Sequence, residues 1–145
     1  MATNAQLILT SDVSGDPTNV DTTSQVLTKA GSADNGLDQS TGLSRVHLRS
    51  TTNKVLLAAN AEGNDLAAKV YIINKATDTS VYVTITINAQ TIGKLYAGDW
   101  MFIPWSQTDI AADIEIAATN WSSSTGDVPI EYALFHEDTD FLTNA

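Results

Sequence analysis

The two histidines sit where the residue types around them could do chemistry. His47 lies in Ser44-Arg45-Val46-His47-Leu48-Arg49. In an extended chain Val46 and Leu48 face one way, and Arg45, His47 and Arg49 face the other. Arg45 and Arg49 are the only arginines in the chain, so this stripe is basic within an acidic protein. One reading makes it a docking surface for carboxylates on a neighbouring subunit, because a guanidinium pairs a carboxylate with two parallel bonds. The plainer reading is pairing with the chain's own Asp and Glu side chains, which are abundant. His136 lies in Phe135-His136-Glu137-Asp138, where a histidine beside carboxylates could ligate a metal or act as a general base. No Ser or Thr stands out as an activated nucleophile beside it. A surface histidine at the end of the last strand is the simpler expectation.

Oxygen ligands surround a glycine in Asp12-Val13-Ser14-Gly15-Asp16 and in Asp34-Asn35-Gly36-Leu37-Asp38. Neither follows the EF-hand order of alternating ligands, a sixth-position glycine and a closing glutamate. Asp-Gly turns are common in β proteins, so no metal and no cofactor is expected. The chain has no cysteine, which removes disulfides, thiolate zinc sites and cysteine nucleophiles. No phosphate-binding glycine loop or nucleophile elbow occurs. The expectation is a protein that is not an enzyme and has no catalytic residues.

The densest aromatic segment is KLYAGDWMFIPW, residues 94–105. On a strand Trp100 and Phe102 share one face, while Met101, Ile103 and Trp105 share the other. Apolar residues on both faces imply cover on both sides. One side suits a core. The other suits a subunit interface, a carbohydrate platform or a small loop-covered core, since aromatics concentrate at interface centres. Pro104 would interrupt a central ladder, so this strand lies at a sheet edge or ends there. Arg45, His47, Arg49, Trp100, Phe102 and Trp105 are therefore the candidate partner-interface residues.

The elements that must hold these residues are strands. From Val81 to Asn88 the sequence alternates: Val81, Val83, Ile85 and Ile87 against Tyr82, Thr84, Thr86 and Asn88. With the preceding run from Lys69 and a five-residue polar connection, residues 69–88 read as a β-hairpin. Further strands are predicted over residues 6–10, 25–28, 44–49, 54–59, 92–96, 100–105, 113–119 and 130–137, with turn signals between them. Residues 113–118 alternate Asp113, Glu115 and Ala117 with Ile114, Ile116 and Ala118, which favours a strand over a helix. The pattern predicts an all-β, antiparallel, jelly-roll-like β-sandwich. Residues 11–42 are polar and rich in turn formers. They read as a long N-terminal arm or loop, ordered by contact with something else, on a single domain spanning 1–145.

Composition narrows the function classes. Seven basic residues face seventeen acidic ones, for a net charge of −10. Such a surface repels nucleic acid and anionic membrane, so neither is an expected partner. Mean hydropathy is near zero and no apolar run is long enough to span a membrane as a helix. The first residues lack a basic region and carry a very short apolar run, so a standard secretory leader is not expected.

The segments from VYIINKATDTSVYVTITI through LYAGDWMFIPW and DIEIAAT to PIEYALFHED form a familiar series. It resembles the small β-sandwich virion proteins of tailed bacteriophages, of the capsid decoration or cement type. The matching residues are Gly98, Asp99, Phe102, Pro104, Glu131, Tyr132, Leu134 and Phe135, and the resemblance covers roughly residues 69–138. It implies a structural role without catalytic residues: many copies made in the host cytoplasm and bound to the capsid exterior. It also implies a homo-oligomer, often a trimer, whose partner is the major capsid protein. The alternative is a carbohydrate-binding or tail-adhesion module, which needs at least one of Trp100, Trp105 or Trp121 exposed on a concave or flat face.

Overall fold

A computed structural model describes residues 4–11, 19–22, 24–26, 37, 39–59, 67–106, 112–119 and 126–136. The chain is all-β. In order it forms β1 (Asn4–Ala5), β2 (Ile8–Thr10), β3 (Asn19–Asp21), β4 (Gln25–Val26), β5 (Gln39–Ser40), β6 (Ser44–Leu48) and β7 (Lys54–Leu57). There follow β8 (Ala67–Asn74), β9 (Tyr82–Ile87), β10 (Gln90–Leu95), β11 (Trp100–Ser106), β12 (Ile114–Thr119) and β13 (Val128–His136).

Two antiparallel sheets pack as a sandwich. One runs β11-β8-β13, with β5 and β6 both on the far edge of β13; the other runs β10-β9-β12-β7. Strands β6 to β13 behave as one long hairpin folded over itself. β6 pairs β13, β7 pairs β12, β8 pairs β11 and β9 pairs β10, and successive pairs alternate between the sheets. That is the strand order of a jelly roll. The predicted alternation is the cause: Val83 and Ile85 of β9, Val70 and Ile72 of β8, Ile114 and Ile116 of β12, and Ile130 and Leu134 of β13 all turn inward into one buried cluster.

The expected hairpin over residues 69–88 does not form. β8 and β9 lie in different sheets and face one another across the core, and residues 75–81 cross between the layers. The true hairpin joins β9 to β10 through Asn88 and Ala89, which have φ of 50° and 58°. A two-residue loop with both residues left-handed is a type I′ turn, which normally recruits glycine. Ala89 holds this conformation at a cost of roughly 1 kcal/mol, which is why the turn carries no obvious sequence signature.

Within 11–42 the described residues form three short strands, β3, β4 and β5. β3 and β4 pair with β2 and β1 in a two-stranded ribbon, continued at its centre by mutual bonds between Leu7 and Thr22. Leu37 is buried, and Gln39–Ser40 joins the first sheet against Phe135 and His136. Pro104 sits on β11, an edge strand, as its missing N–H requires.

One buried polar residue ties the sheets together. Asn74 ends β8 on the inward side and is fully buried. Its Nδ2 donates to the carbonyl of Leu95 in the opposite sheet at 3.0 Å, and its Oδ1 accepts from the Ala76 N–H at 2.9 Å. Its backbone N–H donates to the Asp99 carbonyl, and its own carbonyl accepts from Gly98 N–H at 2.8 Å. Gly98, with φ of 87°, is the third residue of a type II turn closed by Asp99 N–H on the Tyr96 carbonyl. Asn74→Leu leaves two backbone groups unpartnered and is expected to lower stability by about 2–3 kcal/mol in urea unfolding. Asn74→Asp buries a carboxyl group whose pKa burial raises, so its neutral form is the one the fold accepts. Relative to the parent chain, that variant should lose further stability as pH rises above about 4, the ordinary Asp value. A deficit that does not change with pH would contradict the assignment.

Candidate interaction face

The outer face of the β11-β8-β13-β6 sheet gathers most of the residues singled out by sequence. Antiparallel register sets them in rows, since directly paired residues share a face. One row runs Phe102–Tyr71–Ala133, and the next runs Trp100–Ile73–Glu131–Arg45. Pro129 and His47 pair one step further along β13. The basic stripe of β6 and the aromatic strand β11, 51 residues apart from Arg49 to Trp100, thus lie at opposite edges of one sheet face.

The β11 edge is aromatic. Trp100 is 53% exposed, with its ring centroid 6.5 Å from that of Tyr71. Phe102 meets Phe135 edge-to-face, also at 6.5 Å. Between Phe102, Tyr71, Ala133 and Phe135 on one side and Ser40 and Leu43 on the other lies an open groove of about 410 Å³, rimmed by Asn4 and Ala5 of the ribbon root. Leu43 is strongly exposed beside it. Trp105 does not belong to this face. It turns inward with Met101 and Ile103, is only 5% exposed, and donates its Nε1–H to the Ala112 carbonyl at 2.7 Å. The pleat sends alternate residues of β11 to opposite sides, so Trp105 serves the core.

The β6 edge is charged and paired within the chain. Arg45 bonds Glu131, and Arg49 clasps both oxygens of Asp127 at 2.6 Å. His47 Nδ1 lies 3.9 Å from Asp127 Oδ2. The Arg49 hydrogen bond holds the Asp127 carboxyl below its usual range, and the charges of Arg49 and His47 add to this. The Arg45 hydrogen bond does the same for Glu131, helped by the charges of Arg45 and Lys75. The stripe is therefore a row of ion pairs at the end of the apolar groove. His136 departs from expectation: it is buried, because it shares the inward-facing side of β13 with Ile130 and Leu134.

Tyr71, Ile73 and Phe135 were not singled out from sequence as members of this face. The signal was available: β8 reads VYIIN and β13 reads YALF, apolar on both parities, which an ordinary solvated outer face does not need. The candidate oxygen ligands of the two Asp-Gly segments and Trp121 lie outside the described residues. Among the described residues, no three His, Asp or Glu side chains are grouped to hold a metal ion. In comparisons with known proteins, no family model, no curated protein and no solved structure matches the chain.

Depressed carboxylate pKa values stabilise the fold above the ordinary carboxylate range and stop doing so as pH falls through the folded values. Thermal unfolding of the parent chain should therefore drop more steeply between about pH 5 and pH 3 than that of an Asp127→Asn/Glu131→Gln variant. Parallel pH profiles would show that these pairs contribute nothing.

Proposed function

We propose that this protein is a structural virion protein, a capsid decoration or cement protein of a tailed bacteriophage. It binds the outside of the head as a homo-oligomer and braces contacts between major capsid subunits. The observation that carries this reading is the outer sheet face. A sandwich needs one apolar side per sheet, and here a second side presents Trp100, Phe102, Leu43 and Tyr71 next to a row of ion pairs. An apolar region bordered on one side by fixed charges suits a protein contact surface. The jelly-roll strand order is compatible with the role but hosts many others, so the surface rather than the fold bears the argument.

Trp100 beside Tyr71 on a flat sheet also favours a second reading, a carbohydrate-binding or tail-adhesion module, because exposed aromatic rings offer a stacking platform. Immunogold labelling of intact particles separates the two. Decoration predicts regular labelling over the head exterior and none on the tail. Label confined to tail structures, with Trp fluorescence responding to glycans, would support adhesion and overturn decoration. Particles without label would overturn both.

A further inference from the structure

The ribbon formed by β1 to β4 has two unlike faces. Register puts Leu9 opposite Val20, with Leu7 two residues before Leu9 on the same side; the other side carries Gln6, Ile8, Thr10, Asn19 and Asp21, with a Gln6–Asp21 hydrogen bond. Leu7, Leu9 and Val20 are all exposed, and no charged residue among the described ones shares their face. A two-stranded ribbon is marginal in water by itself, and an apolar strand face calls for a covering layer. No residue of β2 or β3 is more than partly covered, whereas Asn4 and Ala5 stand at the rim of the aromatic groove. The ribbon thus starts beside the groove, and its β2–β3 part is exposed.

Electrostatics limits which surfaces of two copies can meet. Two chains of net charge −10 repel one another and can associate closely only through surfaces free of uncompensated charge. The described residues that line the groove are all uncharged, and so is the stretch Asn4–Ser11. We infer that the Leu7–Leu9–Val20 face of the ribbon seats in the groove formed by Leu43, Tyr71, Phe102 and Phe135 of a second copy of this chain, giving an arm-exchanged homo-oligomer. This rests on the homo-oligomer part of the reading above and assigns its contact surfaces. Exchange covers apolar surface on both partners and leaves the ion-paired row of β6 and β13 outside the contact, free to face a different protein.

The absence of native cysteine makes the test direct. Leu9→Cys and Phe102→Cys chains carrying tags of different size are mixed under mild oxidation. A disulfide-linked product containing one of each is expected, with several-fold less from Ile8→Cys mixed with Phe102→Cys. Equal yields from the two mixtures would overturn the arrangement. In parallel, light scattering on the untagged parent chain should give a multiple of 15.4 kDa, falling to one chain in Leu9→Asp. An oligomer that survives Leu9→Asp overturns the arm exchange alone. A parent chain that stays monomeric at high micromolar concentration overturns the homo-oligomer reading with it.

Discussion

Asn74 is the constraint on which the rest of the arrangement depends. It stands at a core position of β8, where alternation calls for an apolar side chain, and it is the buried polar link from that strand to Leu95 in the facing sheet. An asparagine without partners there would cost as much as the hydrogen bonds now return, so the geometry around it is tightly specified. Its backbone groups fix the Gly98–Asp99 turn, and that turn delivers the chain into β11 with Trp100 opposite Ile73. A one-residue slip at this point would send Trp100 and Phe102 into the core and Trp105 to the surface. The outer aromatic face thus follows from a hydrogen-bonded residue in the interior.

The same sheet handles its two edges differently. β11 ends the sheet on the aromatic side, and Pro104 blunts its ladder against uncontrolled strand addition. On the opposite side, Arg45–Glu131 and Arg49–Asp127 clasp β6 and the start of β13 together from outside. These exposed pairs contribute modestly to stability and weaken with salt. Their larger consequence is specificity, because they divide the face into an apolar region and a region of fixed charges. The opposite sheet has a different outer face, where Lys94 lies over the Tyr82 ring at 4.6 Å among threonines.

Much of the sandwich was legible in the sequence because alternation has a simple physical origin. Ile114 and Ile116 against Glu115, or Val46 and Leu48 against Arg45 and His47, can satisfy core and solvent in only one register. Pro104 likewise announced an edge. The missed features are those in which tertiary structure overrides local preference. The β8–β9 connection looked like a hairpin because a polar loop can join strands within a sheet or between sheets, and periodicity does not distinguish them. The β9–β10 turn lacks glycine and was hidden. The aromatic half of the face was read from β11 alone, while Tyr71 and Phe135 complete it from strands distant in sequence. His136 was expected at the surface because it ends the last strand, yet it falls on the core-facing side of β13 with Ile130 and Leu134. Alternation already put Trp105 on the opposite face from Trp100 and Phe102, but it was counted with them as an interface residue, and its face proves to be the core.

The central proposal is that the outer face of the β11-β8-β13-β6 sheet is covered in the assembled particle. Hydroxyl-radical footprinting of side chains, comparing particles with the isolated chain at high dilution, measures this directly. The account predicts that Trp100 and Phe102 lose reactivity on assembly, while Val55 and Ile92, exposed in the other sheet, keep it. Unchanged reactivity at Trp100 and Phe102, with protection at Val55 and Ile92 instead, would contradict it.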